Sequence, residues 1–169
     1  MPITVLSNSR PKIRHIADLS PPARLVLVTL RQRHQGRSCW PALCGVYFGA
    51  CGISGVEDAL LGFEGVIDVL LSQAKPLLRP LNARTVAPAE HMVLDLIAAL
   101  QEDQSDKAFA LAHRLVPAYA VEQLVVQAKL FATALRRSDQ ILRRRNDTKD
   151  DRSCVSAEPG TFRELVTGF

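Results

Sequence analysis

Between Val121 and Leu135 the apolar residues Val121, Leu124, Val125, Ala128, Phe131, Ala132 and Leu135 return at steps of three and four. A helix turning every 3.6 residues places all of them on one face, so this stretch must be a helix with one side buried against a partner. Two upstream stretches repeat the pattern. Pro88, at a first-turn position with Glu90 behind it, opens a helix to about Glu102 that buries Met92, Val93, Leu96, Ile97 and Leu100. Ser105-Asp106 caps another, with Phe109, Ala112, Leu115 and Val116 inward and Pro117 ending or bending it. A run of one-faced helices predicts an all-α domain that buries these faces against one another. No fixed period of 20 to 50 residues is visible, which excludes a solenoid reading.

The front of the chain continues the theme. Residues 1–19 have no sustained period and read as an N-terminal arm. Ser20 and Pro21 form an N-cap and first-turn pair, opening a helix whose Ala23, Val26, Leu27 and Leu30 share a face and which Gly36 ends. A second helix is expected from Trp40-Pro41 to Ala50, where Gly45 and Gly49 lie four apart and permit close helix approach. Ser54-Gly55-Val56-Glu57 has the form of a capping box. It predicts a third helix to about Gln73, with Val56, Leu60, Phe63, Ile67, Leu70 and Leu71 as its stripe. Pro76 stops that helix, and residues 75–87, with Pro76 and Pro80, read as an extended crossover that holds a short strand or lies over the core.

Ser38 to Val56 carries no charged side chain, which meets the bare length criterion for a membrane span. Pro41 and the glycines at 45, 49, 52 and 55 break it into two short helices instead, so no span is expected. With 169 residues, 47% hydrophobic and 22% charged, the chain suits one folded domain with its own core. The cysteines at 39, 44, 51 and 154 include no C-x-x-C pair, so neither a zinc ribbon nor a redox motif is indicated. Cys44 and Cys51 read as buried small hydrophobes of a reducing compartment, and the amino-terminal residues lack the apolar core of a signal peptide. These features point to the cytoplasm.

The net charge of +4 is unevenly distributed. Residues 1–37 hold seven Lys/Arg against Asp18 alone, residues 38–104 hold three against eight acids, and residues 136–169 hold eight against six. Basic ends offer a polyanion site, for which Arg136, Arg137, Arg143, Arg144 and Arg145 are the candidates, supplemented by Arg10, Lys12 and Arg14. Cations at a helix C-terminus also simply complement the macrodipole. A helix-turn-helix reading of the second and third helices fails on chemistry, because Ser54, Gly55, Val56, Glu57 and Asp58 offer no base-reading donors and two carboxylates that repel phosphate.

For an enzyme, the nearest approach to a site is Glu90, His91 and Asp95, with His91 and Asp95 four apart on one helix. No third metal ligand and no nucleophile motif accompanies them, so no catalytic residue, metal or cofactor is assigned. His34 and His113 read as surface or boundary histidines, and Trp40 and Tyr47 as core. The strongest lead lies at residues 161–169. Thr161-Phe162-Arg163-Glu164 has capping-box form, and Phe162, Leu165, Val166 and Phe169 fall at i, i+3, i+4 and i+7. So short a segment does not hold a helix alone in water, so its apolar face calls for a groove.

The sequence therefore predicts an all-α, single-domain bundle of about six helices with a proline-bearing crossover and a short C-terminal docking helix. The divisions are an arm at 1–19, a helical domain at 20–145, a polar linker at 146–160 and an amphipathic segment at 161–169. The expected function is that of a non-enzymatic cytoplasmic protein-interaction or regulatory module, with homodimerisation as one mode and Phe162, Leu165, Val166 and Phe169 as the docking residues. The partner is a protein or a second copy. The alternative is a nucleic-acid-associated protein that uses its basic segments.

Overall fold

The computed structural model describes residues 15–36, 45, 55–72 and 78–142. Among them are five α-helices: α1 (Pro21–His34), α2 (Val56–Leu71), α3 (Pro88–Gln101), α4 (Ser105–Leu115) and α5 (Ala118–Arg137). One turn of 3-10 helix at Ile16–Asp18 precedes them, and Leu19 behind it is buried. The helix expected at Trp40 to Ala50 lies, apart from Gly45, outside the described residues, and so does the segment 161–169.

All seven stripe residues of α5 are buried, and this helix organises the rest, packing most extensively on α2 and also on α3 and α4. At the centre, Phe63 of α2 and Phe131 of α5 are fully buried with ring centroids 5.0 Å apart and planes tilted by 49°, a geometry that aligns ring edge with ring face. Leu27 and Leu30 of α1, Ile67 of α2, Leu96 and Ile97 of α3 and Leu124 and Leu135 of α5 complete the core.

The expected faces need correction in two helices, and in a third, α3, Met92 is half-buried where burial was expected. In α2 the buried residues are Ala59, Gly62, Phe63, Val66, Ile67, Val69 and Leu70, whereas Leu71 is exposed and Val56 and Leu60 are only half-buried. The buried face is rotated toward small residues because α5 comes very close at Gly62. A Cβ added there would stand 2.7 Å from the Phe131 amide nitrogen and 3.0 Å from the Gln127 carbonyl oxygen. In α4, Ala108, Ala112 and Leu115 face inward but Phe109 is 40% exposed, since among the described residues this short helix packs mainly on α3 and α5.

The caps also depart from expectation. Gly55, in the left-handed conformation at φ 71°, occupies the N-cap of α2 in place of Ser54, which lies outside the described residues. Ser20 does cap α1, but its hydroxyl makes no capping hydrogen bond. Pro21 and Pro22 follow it, so of the N2 and N3 amides that a cap oxygen can reach, the first does not exist.

The crossover holds no strand among the described residues. His15 and Thr85 form a single antiparallel bridge, and the Ile16 amide donates to the Arg84 carbonyl at 2.9 Å. Leu78 and Val86 are buried and pin the segment to the core.

Candidate functional site

Of the Glu90, His91 and Asp95 cluster, Glu90 belongs to a structural clasp. α1 carries Arg31 in phase with Leu27 and Leu30, which puts a guanidinium inside the core, and both Arg31 and Glu90 are fully buried. The two meet as a fork: Arg31 Nε donates to Glu90 Oε1 at 2.8 Å and Nη2 to Oε2 at 2.7 Å. Arg31 also donates from Nη1 to the Ala83 carbonyl at 2.7 Å and from Nη2 to the Thr85 carbonyl at 2.8 Å. Glu90 accepts two further bonds, from the Arg79 amide at 2.8 Å and the Ala87 amide at 2.7 Å.

The second of these is half of a capping box, since Ala87 is the N-cap of α3 and Glu90 its third residue. The clasp thus ties α1, the crossover and α3 through two side chains. Burial alone would raise the Glu90 pKa, but the Arg31 hydrogen bonds, the Ala87 and Arg79 amides and the Arg31 charge together hold it below the ordinary carboxylate range. A carboxylate so saturated has no lone pair directed at a substrate. His91 and Asp95 are half-buried on α3, His34 is half-buried at the end of α1 and His113 is exposed on α4. Among the described residues, no group of three or more His, Cys, Asp or Glu is placed to hold a metal ion. No helix among them is long and apolar enough to cross a membrane.

The basic candidates are divided. Arg136 donates from Nη1 to Asp103 Oδ2 at 2.7 Å and to the Gln101 carbonyl at 3.0 Å, spanning from α5 to the end of α3. Arg137 is exposed on the neighbouring flank, and Arg143, Arg144 and Arg145 lie outside the described residues. So do Phe162, Leu165, Val166 and Phe169.

A different surface draws attention by its apolar content. On α5, Tyr119, Gln123, Val126, Leu130, Thr133 and Arg137 recur at steps of four and three, forming a second stripe outside the buried one. Tyr119 is 82% exposed, Val126 58% exposed and Leu130 half-buried. α2 runs antiparallel alongside, with Gly62 against Gln127, Leu130 and Phe131, and Gly65 beneath the Gln127 side chain. Asp58, Leu61 and Gly65 follow at steps of three and four, so Leu61, 63% exposed, shares the α2 face of Asp58, which lines a cleft with Leu130, and of Gly65, which lies beneath Gln127.

The result is a shallow groove along the seam of two helices. At one end it deepens into a cleft of about 340 Å³ lined by Asp58, Lys129, Leu130, Thr133, Ala134 and Arg137. The periodicity of the outer stripe was present in the sequence, but half of it is polar, and only the position of α2 makes the remaining apolar residues one surface. Comparison with family models, with curated proteins and with solved structures finds no match to this chain.

Proposed function

We propose that the chain is a non-enzymatic helical module of the cytoplasm that works by protein contact, with the outer groove of the α2–α5 pair as its docking surface and self-association as one mode of use. One observation carries the reading. Leu61 and Val126, 63% and 58% exposed, stand on the two helices on either side of the half-buried Leu130, with the Gln127 side chain laid over Gly65 at the seam. Single exposed apolar side chains are ordinary on any protein surface. Their alignment along the seam between two helices is what an incoming amphipathic helix requires.

The test must uncover the groove first, because residues 161–169 carry an apolar stripe of their own. In the full-length chain with Phe162→Ser and Phe169→Ser, light scattering after size exclusion is expected to show concentration-dependent self-association. Adding Leu61→Glu and Val126→Glu is expected to restore the monomer. A monomer at every concentration, with or without those two changes, refutes the groove as a contact surface.

The nucleic-acid alternative rests on Arg136, Arg137, Arg143, Arg144 and Arg145. It is the weaker reading, because Arg136 already spends its guanidinium on Asp103 and Gln101 and the adjoining α2 carries Glu57, Asp58, Glu64 and Asp68 with no Lys or Arg.

A further inference from the structure

We infer that the groove is occupied by residues 161–169 of the same chain, an inference that rests on the contact-surface reading above. Three observations converge on this occupant. The first is dimension: the four anchors Phe162, Leu165, Val166 and Phe169 extend over seven residues, about 10 Å of helix. The α5 side of the groove, from Val126 through Leu130 to the cleft at Arg137, extends over eleven residues, about 16 Å. The anchors therefore fit within it.

The second is the place where the chain leaves the core. Leu142 is buried, its amide donates to Gln101 Oε1 at 2.8 Å, and Gln101 Nε2 donates to the Gln140 carbonyl at 2.8 Å. Gln101 thus fixes the exit point beside the last turn of α5. Eighteen residues separate Leu142 from Thr161, a length of chain that can reach at most about 60 Å. From Arg137 back to Val126 is eleven residues of helix, about 16 Å. The tether therefore reaches the groove with length to spare, and an attached segment meets the site at a higher effective concentration than a separate chain does.

The third is charge. The segment carries Arg163 and Glu164 beside its apolar stripe, and the groove offers Asp58 on one helix with Lys129 and Arg137 on the other. Both signs of charge thus find a partner at the polar edge. The groove is in this way self-covered, and an outside helix gains it only by displacing the segment.

Site-specific photocross-linking in the full-length protein tests this. Benzoylphenylalanine is placed at position 126, and in a second preparation at position 61, and light and isotopically heavy chains are mixed before irradiation. The expected products join the groove to peptides from 161–169 as light–light and heavy–heavy pairs only. Phe162→Ala with Phe169→Ala is expected to lower their yield about tenfold or more, since two large anchors are lost. Mixed light–heavy products in statistical proportion overturn the inference, assigning the segment to a second copy. Products that never include 161–169 overturn it as well. In both cases the association experiment on Leu61→Glu with Val126→Glu still decides the contact surface separately.

Discussion

Arg31 and Glu90 concentrate more consequence in two side chains than any other pair among the described residues. Six hydrogen bonds converge on the fork, two between the side chains and four to the crossover and the start of α3. Removing one partner leaves the other charged and buried, so Arg31→Ala or Glu90→Ala is expected to cost about 3–5 kcal/mol in chemical denaturation. The volume-matched double Arg31→Met with Glu90→Met is expected to cost much less than the sum of the two single changes. Equal and additive losses would mean that the pair is not coupled.

The pH dependence follows from the lowered Glu90 pKa. The unfolded carboxyl titrates near its ordinary value of 4.5 and the folded one below it, so the unfolded state takes up the proton first as acid is added. The stabilisation from Glu90 is therefore complete above pH 4.5 and is lost as the pH falls from there through the folded value. Glu90→Gln is expected to be less stable at neutral pH and to show a flatter melting temperature below pH 5. Half of this was legible in the sequence. Arg31 shares the phase of Leu27 and Leu30, and Glu90 stands where a capping carboxylate belongs. That they meet was not, because the contact joins residues 59 positions apart in the chain through a crossover without periodicity.

Among the elements, α5 was fully readable because its residues are large, apolar and regularly spaced. α2 was misphased because its closest contact is made by residues without side chains. A glycine contributes nothing to an apolar stripe, yet Gly62 sets where α5 sits. Gly62→Ala is therefore expected to destabilise by about 1–3 kcal/mol although alanine favours helix, since its Cβ meets Phe131 and Gln127 backbone that does not move aside. Gly65→Ala meets only the Gln127 side chain, which can swing outward, and is expected to lie within about 1 kcal/mol of wild type. Thermal melts of the two variants check this, and equal losses would argue against the backbone contact as the determinant.

Helix ends were hidden for a related reason. α1 is followed by Gly36 at φ 66°, the usual signal, but the same left-handed position after α3 and α5 is filled by Asp103 at φ 56° and Asp139 at φ 58°. Backbone bonds from the Gln104 amide to the Ala99 carbonyl and from the Gln140 amide to the Leu135 carbonyl, 2.9 Å each, close both ends. This is the cap geometry glycine normally marks, so the composition carried no sign of it.

Over the whole molecule, charge is segregated by helix. α2 is acidic along its outer side, with Asp68 reaching Arg33 of α1 at 3.9 Å, and the end of α5 is basic. The described residues hold ten Lys/Arg against twelve Asp/Glu, so the positive excess belongs to segments outside them, and a phosphate backbone approaching Arg137 and Lys129 also meets Asp58. Polyanion affinity scales with the number of phosphates neutralised, and each one makes binding fall more steeply with salt. The described helices, with acids in excess and Arg136 paired to Asp103, have few cations to offer. Fluorescence anisotropy of labelled duplex and single-stranded nucleic acid with the full chain is expected to give dissociation constants weaker than about 10 µM near physiological salt, within the range of non-specific binding. Replacing Arg136 and Arg137 by Gln is expected to change them little. Micromolar or tighter binding that collapses with added salt, and that disappears when Arg136, Arg137, Arg143, Arg144 and Arg145 are replaced together, would reverse the order of the two readings. The basic segment would then be the working surface, and the groove over Leu61, Val126 and Leu130 would serve only to hold the fold's own chain.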